Sequence, residues 1–254
     1  MRAAPEVVPP PDGCYPRFTT AEGCSALSHL TSGAGNTGVG WYSLASDTTG
    51  SYNTGVGAGT LVLNTAVDNT AVGTAALLLN TSGTGGTAVG TDALAHNDSG
   101  DFNDAVGAFA LFDNTDGFAN NAVGNSALFS NVRGAQNTAF GDVALAFNDS
   151  GGAGLANNNT AVGSGALFNN VDGSENTAVG TGAGPNVTAG TNNTYVGDFV
   201  GTLAPDESGT IRIGDISNGN GAGSLACFIG GIFNNFQPVG GAVVEVTLNR
   251  NTDE

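Results

Sequence analysis

The sequence predicts an all-β protein, a parallel β-solenoid of about 13 coils with roughly 17 residues each. Three observations lead to this prediction. A phrase of the type Asn-Thr-Ala-Val-Gly, as at 69–73, recurs along the chain, and 17 residues separate most of its closing glycines. Self-similarity at a short fixed period is the signature of a solenoid. Finally, 42 Gly and only 11% charged residues are unlike the composition of an ordinary globule.

The closing glycines mark the coils. Two steps between them are 16 residues long, and one is 22, which indicates an insertion of five residues. A helical repeat fits poorly, because Gly and β-branched residues would recur in helix interiors. The glycines are Gly23, Gly40, Gly57, Gly73, Gly90, Gly107, Gly124, Gly141, Gly163, Gly180, Gly197, Gly214 and Gly230.

A first strand is predicted immediately before each glycine. The residue that precedes the glycine is mostly valine, and β-branched side chains favour strands that stack in register. We therefore place this column in the core. It comprises Val39, Val56, Val72, Val89, Val106, Val123, Val162 and Val179.

A second strand is predicted around a leucine four residues after the glycine. Clusters of Asn or Asp with Ser or Thr and Gly, as at 97–100, separate the two strands and are turn formers. Each coil is thus expected to run strand, turn, strand, turn, and the stack to form a rod of about 60 Å at ~4.8 Å per coil. This core column comprises Leu44, Leu61, Leu77, Leu94, Leu111, Leu128, Leu145 and Leu167.

The residue after the leucine is often large and apolar, as at Leu78, Phe112, Phe129 and Phe168. Neighbouring strand residues point to opposite faces, so this column is expected to face outwards when the leucine faces inwards. An exposed apolar stripe needs a cover. We therefore expect several solenoids to pack side by side through these residues. The alternative is that a turn begins here and both columns point inwards.

Charge excludes some partners. The formal net charge is −17, with no Lys and five Arg, so nucleic acid is not an expected partner, because phosphate binding needs clustered basic residues. No apolar run of about 18 residues predicts a membrane span. The first residues also lack the apolar core of a signal peptide.

Chemistry-bearing residues are few. His29 and His96 have no second His or Cys at ligand spacing, and the missing Lys excludes a phosphate-binding loop of the Walker type. We expect no enzyme and no cofactor, with one exception. An acidic turn cluster could hold Ca²⁺, because this ion prefers oxygen ligands. The cluster comprises Asp98, Asp101, Asp104, Asp113 and Asp116.

Two polar columns also repeat. If the Asn column faces inwards, its amides can form ladders along the rod and cap neighbouring backbone. A Thr column suggests an ice-binding array, but one Thr per coil and interruptions at Asp104 and Asn121 argue against it. The Asn column comprises Asn36, Asn53, Asn69, Asn103, Asn120, Asn137, Asn159, Asn176 and Asn193; the Thr column comprises Thr37, Thr54, Thr70, Thr87, Thr138, Thr160, Thr177 and Thr194.

The phrase Asn-Thr-Ala-Val-Gly followed by x-x-Ala-Leu resembles the head repeats of trimeric autotransporter adhesins. It is similar also to adhesin-head-like repeats of bacterial surface proteins and phage tail fibres, over about 19–232. The resemblance implies a left-handed β-roll, assembled as a homotrimer, that serves as an adhesin or fibre shaft. The coil is longer here than in adhesin heads, and no stalk coiled coil or anchor barrel follows in this chain.

Four segments are expected: an N-terminal extension over 1–18, regular repeats over 19–181, divergent coils over 182–232 and a C-terminal segment over 233–254 with a strand at 241–248. The end segments act either as caps or as connectors to the next subunit, because an open solenoid end exposes unpaired backbone.

Three cysteines lie near the two ends. Cys14 and Cys24 belong to the first coil and Cys227 to the last, too far apart for a bond within one chain. One reading is a local Cys14–Cys24 bridge that leaves Cys227 buried. The other is a head-to-tail filament locked by Cys227 and a cysteine of the next copy, in an oxidising extracellular setting.

The sequence therefore predicts a structural extracellular or cell-surface rod or filament that adheres to surfaces or cells. Its partners would be further copies of itself, as a homotrimer and in head-to-tail order. The alternative is a discrete trimeric adhesin that binds a glycan or another host-surface ligand. A carbohydrate-active solenoid enzyme is a remote alternative, since no groove with clustered carboxylates is indicated.

Overall fold

The computed structural model describes residues 16–201 and 206–214, all within the first of two compact units, Met1–Ser224 and Leu225–Glu254. The predicted parallel β-solenoid is confirmed. After a short 3-10 turn at Pro16–Phe18, twelve parallel strands of three residues form one sheet in sequence order. They are β1 (Thr20–Glu22), β2 (Thr37–Val39), β3 (Thr54–Val56), β4 (Thr70–Val72), β5 (Thr87–Val89), β6 (Asp104–Val106), β7 (Asn121–Val123), β8 (Thr138–Phe140), β9 (Thr160–Val162), β10 (Thr177–Val179), β11 (Thr194–Val196) and β12 (Ile211–Ile213).

Every strand pairs with the next in the same register. Ala88 of β5, for example, lies opposite Ala71 of β4 and Ala105 of β6. The coil that should end at Gly230, the strand at 241–248 and the first 15 residues lie outside the described residues. Within the described part, all coils thus place equivalent residues in straight columns.

The middle residue of each strand points into the core, and the two flanking residues point out. The prediction that the valine column belongs to the core is therefore wrong. Six of its members are 37–41% exposed, whereas Val39 and Val123 are half-buried. The reason is the period of two in a strand: an inward Ala forces both of its neighbours outwards. The exposed members are Val56, Val72, Val89, Val106, Val162 and Val179.

The leucine column is buried, but the predicted second strand around it is a turn. Leu111 has a left-handed φ of 51°, and so has Phe109 with 59°. Left-handed residues bend the chain, so that Ala110 and Leu111 both reach the core. Hydrogen bonds between coils persist through this turn, as when the Leu111 N–H donates to the Ala127 carbonyl at 2.9 Å. All eight leucines of the predicted column are 0% exposed.

The predicted Asn column lies in the core and caps backbone. Each side-chain Oδ1 accepts from the N–H of the equivalent residue in the next coil at 2.8–3.1 Å, as between Asn103 and Asn120. Each Nδ2 donates to a turn carbonyl of the next coil at 2.7–2.9 Å, as from Asn103 to Gly117. These bonds satisfy buried backbone groups that the three-residue strands leave unpaired.

A second buried Asn column, seven residues after the closing glycine, forms an amide ladder that sequence reasoning placed among the turns. From Asn80 onwards, each Nδ2 donates to the Asn Oδ1 of the preceding coil at 2.6–3.1 Å. We call it the amide ladder. Its members are Asn64, Asn80, Asn97, Asn114, Asn131, Asn148 and Asn170, each at most 2% exposed.

The five-residue insertion leaves both Asn columns intact. Asn137 and Asn148 donate to the Ala156 carbonyl at 2.9 and 3.1 Å, the role that turn glycines serve in most other coils. The extra residues therefore loop outwards. The buried carboxylate of Asp149 holds the loop, because it accepts from the N–H groups of Arg133 and Gly154 at 2.8 Å each.

The late coils depart from the repeat because a large core side chain replaces a small one, while two small residues replace large ones. Tyr195 takes the middle strand position of β11, where an Ala usually lies, and is fully buried. Gly184 and Gly201 stand in place of the core leucine on either side of it. A Cβ on either glycine would lie 2.9 or 2.6 Å from the Tyr195 ring, so the ring fills the space of the two missing leucines.

The closing glycines are required by contact between coils. Gly124 has a φ of +139°, and a Cβ there would lie 2.4 Å from the Gly141 carbonyl oxygen. Gly124→Ala should therefore lower the free energy of unfolding by about 2 kcal/mol or more, through strain and displacement of the next coil. Urea unfolding followed by circular dichroism measures this change.

Gly151→Ala is the matched control. It lies in the exposed insertion, with no left-handed φ and no atom within 4 Å of its Cβ. This variant should be neutral or more stable by at most about 1 kcal/mol. Equal loss in both variants would contradict the role given to the closing glycines.

Candidate functional surfaces

One apolar surface runs along the outer side of the leucine turns. Phe112 and Phe129 stack with ring centroids 5.3 Å apart, and Phe147 and Phe168 meet edge to face at 5.0 Å. The four side chains predicted for an oligomer interface are all half-buried here, so neither the fully outward nor the fully inward alternative describes them. We call this surface the aromatic stripe; it comprises Val62, Leu63, Leu78, Leu79, Phe112, Phe129, Phe147 and Phe168.

His96 lies against the aromatic stripe, whereas His29 belongs to an earlier coil. His96 packs on Phe112 at 4.3 Å, and its Nδ1 lies 2.9 Å from an oxygen of Asp113. The other Asp113 oxygen accepts from Ser130 at 3.5 Å. The carboxylate thus lies between histidine and hydroxyl, whereas a catalytic triad needs the histidine in the middle. His29 contacts the Ala45 carbonyl at 2.6 Å.

A second surface is the outer face of the sheet. We call it the strand face and define it as the first and third residues of β2–β11. Thr and Val fill most of these positions, with exceptions at Asp104, Asn121 and Phe140. The Thr side chains are half-buried and most of the Val side chains are exposed. Sequence reasoning missed this surface, because it placed valine in the core.

Exposed aromatic rings flank the strand face. Tyr52 and Phe102 are both 66% exposed and belong to one column beside the strands. A Cβ on Gly35 or Gly85, one coil earlier, would lie 2.7 or 2.8 Å from these rings, so each ring lies against a glycine. Trp41, 60% exposed, lies on the other side of the strands and contacts Tyr42 at 4.5 Å between ring centroids.

The structure does not bring the predicted acidic cluster together. Its five carboxylates lie at different positions around the coil, and four of them have separate partners. In the described ranges, no group of three or more His, Cys, Asp or Glu side chains could hold a metal ion. Asp98 accepts from Thr81 and Asp101 from Thr84, Asp113 faces His96, Asp116 faces Arg133, and Asp104 lies on the strand face.

Asp47 is a buried carboxyl group at the start of the amide ladder, where other coils carry Asn. It is 0% exposed; one oxygen accepts from the Gly50 N–H at 2.7 Å and the other from Asn53 at 3.3 Å. Burial raises the pKa of Asp47 above its ordinary value, although these hydrogen bonds oppose the shift. The Asp is thus an imperfect substitute for the usual Asn.

A charged group closes the described core at its C-terminal end. Arg212 occupies the inward position of β12, opposite Tyr195, and binds Glu207 through two nitrogens at 2.7–3.0 Å. The Arg212 guanidinium lowers the pKa of Glu207. Burial, with Glu207 next to it, raises the pKa of Tyr195. At β12, a charged pair therefore takes the inward position that apolar side chains occupy in most other strands.

Of the three cysteines, only Cys24 belongs to the described residues, and it is exposed beside β1. Cys14 and Cys227 lie outside them, so both disulfide readings stay predictions.

The chain matches no protein-family model, no curated protein and no solved structure in the comparisons made. The resemblance to adhesin heads is therefore still a prediction from the repeat phrase. In the part of the chain that the structure describes, no helix is long and apolar enough to cross a membrane.

Asp47→Asn should stabilise the protein at neutral pH. Because the pKa of Asp47 is raised in the folded state, the folded protein holds this proton after the unfolded chain has lost it. Stability therefore falls as pH rises from the unfolded pKa, near 3.8, through the folded pKa. The Asn variant has no carboxyl group at this position, so it does not undergo this fall in stability.

Unfolding in urea at a series of pH values measures the difference between variant and parent. It should be small below pH 3.8, where Asp47 is protonated in both states, and largest near neutrality. Asp98→Asn, at an exposed carboxylate, is the control for the removal of one negative charge. A difference for Asp47→Asn that does not vary with pH would contradict the assignment.

Proposed function

We propose that this protein is a non-enzymatic structural rod of the cell surface or extracellular space, which associates side by side as a homotrimer and adheres to surfaces. The observation that carries the proposal is the aromatic stripe, which extends over the coils between Val62 and Phe168 on the outside of the rod. A long apolar surface of this kind marks an interaction site in a soluble protein.

Charge supports a second copy of the chain as the occupant of the stripe. With a net charge of −17, two copies repel each other over most of their surface. The stripe residues lie five and six positions after the closing glycines. Between Ser28 and Asn186, these two columns hold only one acidic residue, Asp113, which His96 contacts at 2.9 Å. Charge depletion together with aromatic enrichment is typical of interface cores.

The regular stacking of the described coils supports a structural role. Successive described coils repeat one unit in the same register, and the five carboxylates of the predicted acidic cluster lie at different positions around the coil. Side-by-side packing of equivalent surfaces is a common route to closed homo-oligomers. A rod with many identical positions can also present several weak contacts at once, which increases avidity.

The rings of Trp41, Tyr52 and Phe102 support a second candidate, a discrete adhesin that binds glycans. These rings are 60–66% exposed, whereas the most exposed ring of the stripe, Phe147, is 40% exposed. An exposed aromatic ring offers an apolar face on which a sugar ring can stack. Glycan-array binding that Tyr52→Ser and Phe102→Ser abolish would favour this candidate.

Substitution in the aromatic stripe should separate the copies. Phe112→Ser with Phe129→Ser removes a stacked pair near the middle of the stripe and puts hydroxyls into the interface, where unpaired polar groups are costly. Light scattering after size exclusion should give about three times 24.9 kDa for the parent, and one chain mass for the variant.

Phe102→Ser is the matched control, because it removes an exposed ring that lies off the stripe. It should keep the parent mass, and circular dichroism should show that all three proteins are folded. A monomeric parent at micromolar concentration, or equal dissociation in the control, would contradict the proposed trimer.

Head-to-tail growth is a separate prediction, which depends on Cys227 and a cysteine of the next copy. If it occurs, non-reducing electrophoresis of the full chain should show a ladder of multiples that reductant removes. Cys227→Ser should abolish the ladder, and Cys24→Ser alone should abolish it only if Cys24 is the partner. A single band in oxidising buffer would contradict the locked filament.

A further inference from the structure

We propose that the strand face binds ice, through a two-dimensional array of Thr and Val side chains. The proposal names ice as the surface to which the protein adheres, and in that respect it rests on the proposed function. It does not depend on the aromatic stripe, which is a different side of each coil.

The array has two repeats. Coils follow each other at the spacing of hydrogen-bonded strands, about 4.8 Å, and the two outward residues of one strand are about 6.7 Å apart. In-register pairing of every strand keeps both columns in line, as in the pairs Thr70 with Thr87 and Val72 with Val89. Oxygen positions on faces of hexagonal ice repeat at similar spacings in two directions, so many side chains can meet the lattice at once.

The outward position of the valine column removes the main sequence argument against ice binding, the single Thr in each coil. With valine in the core, each coil would offer one ordered outward residue. With Val outside, each strand presents two β-branched side chains, and β-branched residues are restricted at χ1. Their methyl groups and hydroxyls therefore hold fixed positions before binding, which lowers the entropy cost of contact.

The Thr hydroxyls of the strand face are available to a ligand. None of them makes a hydrogen bond with another described residue. Thr65, Thr81 and Thr115, in a turn column, behave differently: their hydroxyls donate to carbonyls of the next coil at 2.8–3.0 Å. The same residue type is thus internally satisfied in the turns and open to water on the strand face.

The strand face carries little charge. Among its positions in β2–β11, only Asp104 is charged, although the chain has 22 acidic residues. A neutral surface loses less hydration on contact with a neutral crystal than a charged one does. Asp104, Asn121 and Phe140 divide the array into two regular blocks, β2–β5 and β9–β11.

A disruption test uses Thr70→Tyr and Thr177→Tyr, one in each block. Tyr suits strands, and its ring would stand out from the array and hold the crystal away. Ser82→Tyr and Ser99→Tyr place the same ring at exposed turn positions off the face and serve as controls. The readouts are inhibition of ice recrystallisation and adsorption of end-labelled protein to a growing ice hemisphere.

A repair test works in the opposite direction. Asp104→Thr, Asn121→Thr and Phe140→Val together complete the array from β2 to β11. Because a longer lattice match holds more tightly, the repaired variant should inhibit recrystallisation at a lower concentration than the parent. Gain of activity cannot result from misfolding, so this variant keeps the proposal testable if the Tyr variants fold poorly.

We expect the parent and the control variants to adsorb to ice. The strand-face Tyr variants should lose this adsorption, and the repaired variant should increase it. A parent that neither adsorbs to ice nor inhibits recrystallisation would overturn the proposal. The proposal would also be overturned if the oligomer mass of Thr70→Tyr were lower than that of the parent, because this result would assign the strand face to a second copy of the chain. The mass of Phe112→Ser with Phe129→Ser tests the trimer separately.

Discussion

Hydrogen bonding from one coil to the next is the constraint on which this structure depends. A single coil typically buries one Leu and a few Ala and cannot compensate for the entropy of ordering its residues. Stacking pairs its backbone with two neighbours and closes the core from both sides. The strands provide only three residues of pairing, so the two Asn columns extend the ladder through the turns. Aligned amides also polarise one another, which strengthens the bonds of such a chain.

The same register creates the aromatic stripe and the strand face along the described coils. Equivalent positions align, so a preference for Val or Phe at one position becomes a continuous stripe, whereas in an irregular fold it would be a scattered exposure. The aromatic stripe and the strand face differ in chemistry for this reason. The first offers packed rings suited to another protein chain, and the second offers ordered methyl and hydroxyl groups with one charge.

Departures from the repeat are compensated locally, because a column tolerates change only where its neighbours adjust. Tyr195 fills the volume that Gly184 and Gly201 leave open, and the insertion after Asn148 returns a carbonyl to the position where both Asn columns need one. Asp47 is the least compensated departure, since its buried carboxyl group has a raised pKa.

The sequence by itself determined the solenoid, its period, the closing glycines and the buried Leu, because each repeats at a spacing that only stacked coils explain. The tertiary structure alone decided which face each column takes. Val72 satisfies the pattern of a core strand residue, yet inward Ala71 turns it outwards. Leu77 suits a strand, but its left-handed backbone belongs to a turn, and Asn80 looks like a turn residue although it lies in the buried ladder. Periodicity fixes which residues align; the φ angles between the columns decide the direction in which they point.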